Sequence, residues 1–222
     1  PSDKGGGITV FDTARYLSKM YTMLDCPQFY SKTGKDPFPK IQQKISVLTR
    51  LALDNGNICD NEYEFLNKTN PRIPAIYGVP KTHKNKEDPP LRPIVTMIGS
   101  MLEPLAQYID SFLKPLVCLA PSYIRDTGQM VQKIEGIPFE SRTQWLVTMD
   151  IEALYTNIPL EPAKQVIKTL LECHNSAAPI DFIMDLLNIV LDENFFEFNT
   201  QLYHQIKGVS MGATCAPSIA NL

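Results

Sequence analysis

The segment Val147-Thr148-Met149-Asp150-Ile151-Glu152-Ala153-Leu154-Tyr155 decides how the rest of the chain is read. Residues 144–149 are apolar enough for a short strand, which would deliver Asp150 at its C-terminal end. Mg²⁺ is a hard cation that takes carboxylate oxygen, and a strand end places that oxygen with little play. The same pattern suits a plain turn former or helix cap, because Asp serves both. On this segment alone the two readings stay open.

Outward from it, the pattern alternates helices and short strands. Pro159 and Pro162 precede a helix over 163–173 with Val166, Ile167, Leu170 and Leu171 inward, and Pro162 suits a first turn whose N–H needs no partner. A second helix spans 179–191. Residues 195–198 and 202–206 read as a hairpin turning at Asn199-Thr200. Gly208-Val209-Ser210-Met211-Gly212 then leads into a last helix. Toward the N-terminus, a helix of roughly 100–119 carries Pro104 and Pro115, where bends are expected. Residues 75–77 and 91–95 read as two strands around the basic loop 81–90. Helices are expected over 61–66, over 41–53 with Ile41, Ile45 and Leu48 on one face, and over 14–24 behind the cap Asp12-Thr13. Residues 7–11, opened by Gly5-Gly6-Gly7, read as a strand. The mixture lacks strict βαβ alternation, so the class is α+β.

Two further constellations could carry chemistry. Lys81 and Arg92, on adjoining strands with ten residues between them, could fold over a triphosphate, Arg as a planar fork and Lys as a point charge. A surface hairpin with exposed basic residues explains them equally well. Gly208 and Gly212, before a helix, would let the backbone approach a flat ligand closely; a purely structural helix start is the plainer account. His83, His174 and His204 fall in no metal spacing with each other or with Cys, and neither a Gly-x-Ser-x-Gly elbow nor a Walker-type loop is present.

Composition limits the classes. The 222 residues are 44% hydrophobic and carry net charge −3, which suits a folded core and excludes general disorder. No apolar run approaches the roughly 18 residues of a bilayer-crossing helix, so no membrane partner is expected. Five scattered Cys without a CxxC pair read as reduced thiols of an intracellular protein. Residues 1–100 hold 14 basic and 10 acidic side chains (+4), and residues 101–222 hold 7 and 14 (−7). A basic front half suits a polyanion and an acidic back half suits metal ions, although an ordinary solvated surface gives the same tally. Pro1 opens the chain and Leu222 closes it inside a helical pattern, so it reads as a fragment of a longer protein.

The basic hairpin, the strand-borne Asp and the Gly-x-x-x-Gly segment occur in one order. With DKGGGITVFD (3–12), YGVPKTHK (77–84), LRPIV (91–95), VTMDIEALYTNIP (147–159) and FFEFNTQLYHQIKGVSMGATCAPSIANL (195–222), the chain resembles the reverse transcriptase domain of Penelope-like retroelements, itself similar to telomerase reverse transcriptase. The resemblance spans essentially the whole chain. It implies a right-hand polymerase fold, with fingers and a connecting helix over 1–143 and a partial palm over 144–222. It further implies an RNA template, a DNA primer, deoxynucleoside triphosphates, Mg²⁺ (or Mn²⁺) and a nuclear site of action.

Residue by residue, the resemblance makes Asp150 the first palm aspartate, bridging two Mg²⁺ ions, with the Ile151 carbonyl on one of them. Tyr155 stands where the family excludes a 2′-hydroxyl. Lys81 and Arg92 stand where it grips the triphosphate. Gly208, Met211 and Gly212 stand where it packs against the incoming base and template. Met211 replaces the Gln of many reverse transcriptases, and a thioether donates no hydrogen bond. The family's second carboxylate position, an Asp pair after the Gly-x-x-x-Gly helix, does not occur in these 222 residues. Two readings follow: part of an RNA-directed DNA polymerase whose parent works by two-metal nucleotidyl transfer, or a non-catalytic remnant that at most binds nucleic acid or nucleotide. In either case the strand ending at Asp150 is expected to have an unpaired edge, and the last helix is expected to be poorly ordered.

Overall fold

A computed structural model describes residues 2–4, 7–140, 143–174 and 178–222. The fold is α+β. In chain order the elements are α1 (Thr13–Leu24), β1 (Tyr30–Thr33), α2 (Phe38–Asp54), α3 (Asp60–Leu66), β2 (Ala75–Pro80), β3 (Leu91–Thr96), α4 (Leu102–Val117) and α5 (Thr127–Glu135). There follow α6 (Leu154–Asn157), α7 (Leu160–His174), α8 (Ile180–Asp192), β4 (Phe195–Phe198), β5 (Gln201–Gln205) and α9 (Ala216–Asn221).

Most of the core is built around α4. Leu105, Ala106, Ile109 and Leu113 recur at helical spacing and are fully buried. They pack against α7, α8 and α9, and α8 presents Ile183, Leu186 and Leu187, also fully buried. Pro115 lies in the last turn of α4, with Lys114 beside it near the negative end of the helix dipole. A second, smaller buried cluster joins α1 to the sheet: Met20 and Leu24 group with Ile76, Val95, Phe196 and Tyr203. Asp12 caps α1 by accepting the Arg15 N–H at 2.8 Å.

The five strands form one sheet in the order β1-β5-β4-β2-β3. All neighbours are antiparallel except β2 and β4, which run parallel. The β2–β3 hairpin pairs Val79 with Arg92 and Ile76 with Val95. The β4–β5 hairpin turns at Asn199 and Thr200, with φ of 47° and 65°, the left-handed pair that matches strand twist. Residue 143 divides neither the sheet nor the core. The sheet takes β1, β2 and β3 from before it and β4 and β5 from after it, and α4 packs on α7 and α8.

Three expectations are corrected. Residues 7–11 form no strand; Ile8 and Val10 are more than nine-tenths exposed, and no neighbouring strand offers them a ladder. Gly5 and Gly6, read as its opening, lie outside the described residues. Residues 144–149 form no strand either. Trp145 and Met149 are about as exposed as a side chain can be, at 91% and 90%, because the five-stranded sheet is complete without them. Asp150 therefore ends an irregular exposed segment, not a strand. The expectation of a poorly ordered last helix also fails on packing: Ala216, Ser218 and Ile219 of α9 are buried, and the Ser218 hydroxyl donates to Asp110 Oδ1 of α4 at 2.5 Å. A six-residue helix is held by tertiary burial where propensity alone could not hold it.

Burial pushes the Cys215 thiol up to about 12, whereas Cys59, Cys118 and Cys173 are exposed. At pH 8 a thiolate-directed reagent should label those three quickly and leave Cys215 intact until the chain unfolds. Rapid native-state modification of Cys215, read by peptide mass spectrometry, would contradict this packing of α9.

Candidate functional site

The motif-bearing segments meet along one line of backbone contacts. Residues 208–212 pass between the end of β3 and the short helix α6. On one side, the Val209 N–H donates to the Tyr155 carbonyl at 2.7 Å. On the other, the Val95 N–H donates to the Met211 carbonyl at 2.8 Å. Both glycines are required by this geometry. Gly208 has φ of +73°, and a Cβ there would lie 2.5 Å from the Thr156 backbone and closer still to the Tyr155 oxygen. Gly212 has φ of +131°, and a Cβ there would press into the Val95 carbonyl. Neither contact can be relieved by a side-chain rotation, because both partners are backbone.

The chain enters α6 through a tight turn. Ala153 takes left-handed geometry with φ of 50°, uncommon for a residue with a Cβ. The Asn157 amide closes the turn by donating to the Glu152 and Ala153 carbonyls at 3.2 and 3.3 Å, and Lys207 donates to Asn157 Oδ1 at 3.3 Å. The Tyr155 side chain is half-buried and packs against the main core. Asp150, three residues before the turn, is exposed, as is Ile151. Among the described residues no group of three His, Cys, Asp or Glu side chains comes together to hold a metal ion. Mg²⁺ takes about six oxygens in strict octahedral geometry. Asp150 and the Ile151 carbonyl supply at most two donors, so the residues present do not by themselves fit a two-ion site.

The cations of the β2–β3 hairpin sit at its loop end. Lys81 follows β2 directly, its N–H donating to the Pro90 carbonyl at 2.9 Å. Its ammonium is held below the usual lysine range, first by burial, then by the charges of Arg92 and Lys84. Two like charges near a partly buried site are the arrangement expected of a pair awaiting an anion. Among the described residues neither Lys81, Lys84 nor Lys86 forms an ion pair. The loop is steadied from α1, since Arg15 and Lys19 both reach Asp88 at 2.7 Å and hold its carboxyl below the usual range. Asp3, which sequence reasoning did not single out, pairs with Arg92 Nε at 3.1 Å. Its only sequence signal is its place at the head of the DKGGG stretch.

Thus the structure brings Gly208, Met211 and Gly212 against Tyr155 and against β3, the strand that carries Arg92, and it brings Lys81 near Arg92. It leaves Asp150 and Ile151 on the exposed segment before α6. A groove of about 800 Å³ between α2 and α8, bridged by Lys44 and Glu193 at 2.8 Å, lies outside this cluster. No helix among the described residues is long and apolar enough to cross a membrane. Compared with protein-family models, with curated proteins and with solved structures, the chain matches none.

Gly212→Ala should cost about 1–3 kcal/mol from the left-handed backbone alone, and more from the clash with Val95. A melting temperature within experimental error of the parent chain would reject the tight passage of residues 208–212.

Proposed function

We propose that this chain is the fingers and part of the palm of an RNA-directed DNA polymerase of the Penelope-like retroelement type, with a right-hand polymerase fold. Its parent extends a DNA primer on an RNA template with deoxynucleoside triphosphates. The observation that carries this reading is the double contact of residues 208–212, to Tyr155 on one side and to Val95 on the other. Segments separated by tens of residues in sequence, each singled out on chemical grounds, lie on one continuous line of backbone contacts. A structural Gly pair taken by itself gives no reason for a loop that joins the strand carrying Arg92 to the residue that follows the Asp150 turn.

In this reading each residue has a limited task. Lys81 and Arg92 bind the triphosphate of the incoming nucleotide. Gly208 and Gly212 let backbone lie flat beside the base pair being formed, and Met211 adds an apolar contact. Tyr155 limits the space beneath the sugar. Asp150 contributes one carboxylate to Mg²⁺, and the remaining carboxylates belong to a second position that these 222 residues do not contain. Asp150 and the Ile151 carbonyl would supply two of the oxygens around such an ion, and the metal would supply Lewis-acid chemistry at the reacting phosphate.

The chain should bind a deoxynucleoside triphosphate, and Lys81→Ala or Arg92→Ala should each weaken it about tenfold, the value of one charge-assisted contact. Isothermal titration measures this; affinities unchanged in both variants would overturn the triphosphate reading.

In the parent polymerase, Tyr155→Ala should raise ribonucleotide over deoxynucleotide incorporation by about tenfold, since accommodating one extra heavy atom in a packed site costs roughly 1–3 kcal/mol. Because the Tyr155 ring also packs against the core, stability and total rate should fall together, and the ratio is the decisive quantity. A ratio equal to that of the unaltered enzyme assigns Tyr155 to packing alone.

A further inference from the structure

Asp3 is an unusual carboxylate. Its side chain is only 5% exposed, and its Oδ1 lies 3.1 Å from Arg92 Nε. Its backbone N–H donates to the Pro80 carbonyl at 3.0 Å, so the residue is tied to β2 by its main chain and to β3 by its side chain. Its second oxygen, Oδ2, is buried and finds no hydrogen-bond partner among the described residues. Buried carboxylate oxygens are normally satisfied, and one that is not calls for a reason.

The surrounding charges supply it. Arg92 on β3, Lys81 at the end of β2 and Lys84 in the loop are the cations that act on one another here, and Asp3 is the one anion that acts on Lys81. Burial and the neighbouring cations disfavour the charged form of Lys81, and a nearby anion opposes them. A carboxylate set behind the pair supplies that opposition through its field, without consuming their donors. The shortest approach of Arg92 to Asp3 is through Nε. The outer edge of the guanidinium, about two-fifths exposed as a side chain, is left for a planar, two-pronged contact with a phosphate.

We propose that Asp3 is a positioning residue for the Lys81–Arg92 pair: tied by its main chain to Pro80, next to Lys81, and by its side chain to Arg92, it holds the two cations in place for the terminal phosphates of a nucleoside triphosphate. This deepens the triphosphate reading and rests on it for the identity of the ligand. The support given to the two cations is a property of the free protein.

The test has two arms, both on the 222-residue chain. In the first, without ligand, Lys81 is titrated by NMR of its Cε protons, assigned with Lys81→Arg. Asp3→Asn keeps the shape and removes the charge, so the Lys81 pKa should fall below that of the parent chain; Asp3→Glu should restore most of it. A Lys81 titration unmoved by Asp3→Asn overturns the proposal whatever the ligand is. In the second arm, inorganic tripolyphosphate and dATP are the probes. Asp3→Asn should weaken both about tenfold at pH 7, with the loss deepening as pH rises, and should add little on top of Arg92→Ala. Tighter binding by Asp3→Asn would show Asp3 to be a competitor for the cations and also overturns the proposal. If instead Lys81→Ala and Arg92→Ala leave both probes unaffected, the triphosphate reading fails, and the Lys81 titration still decides whether Asp3 supports the pair.

Discussion

The passage of residues 208–212 between β3 and α6 is the constraint on which the arrangement of the site depends. Backbone lies against backbone on both sides, so no side chain can serve as a spacer. The Tyr155 carbonyl and the Val95 N–H each gain a partner from the passing loop, and each would otherwise be an unpaired polar group near the core. The approach is close only because Gly208 and Gly212 lack a Cβ and tolerate positive φ. Immediately after it the chain turns into α9, whose burial against α4 anchors the loop from its far end. The loop is thus pinned by the core, by the sheet and by α6 at once.

The sheet gives this junction its rigidity. β3 is an edge strand, paired on one side with β2 and free to receive the Met211 carbonyl on the other. That use of an edge also limits its exposure to unwanted pairing. The parallel contact between β2 and β4 links the basic hairpin to the β4–β5 hairpin, which comes just before residue 208. The Lys81–Arg92 end and the Gly208–Gly212 loop therefore share one mechanical frame. Arg92 is held by β3 and Lys81 stands on the residue next to β2, so both cations take their positions from the hairpin strands.

Periodicity made the helices legible. The apolar spacing of α2, α7 and α8 and the Asp12 cap of α1 all appear where the pattern puts them, because each helix buries one stripe. The β4–β5 turn was legible from Asn199, and the β2–β3 hairpin from its two apolar runs. Shorter or more exposed elements were not legible. β1 is four residues of mixed polarity that form a strand only because β5 offers a ladder. α5 buries nothing among its residues, so no stripe announces it. The opposite error concerns residues 144–149. Their β-prone side chains read as a strand, yet propensity for a pleated surface has effect only where a neighbour is present. In the candidate site, residue types and order were legible, while the Asp3–Arg92 pair was not, since it joins positions 89 residues apart through a segment with no regular structure.

The uneven support of the site has a physical consequence. Lys81, Arg92 and the glycine loop gain their positions from the sheet and the core. Asp150 gains its position only through the turn at Ala153 and α6, because the segment before it makes no ladder and exposes Trp145, Leu146, Val147 and Met149. Side chains of that kind exposed in succession form an apolar surface of the sort soluble proteins rarely leave open. Covering it would remove apolar area from water at roughly 25 cal/mol per Å² and would give the segment the ladder its side chains favour. Ordering residues 144–149 by such pairing would fix the Asp150 carboxylate from both sides. Among the described residues, then, Lys81, Arg92 and the glycine loop are the positionally constrained part of the candidate site, and Asp150 is the part held only by the turn at Ala153 and α6.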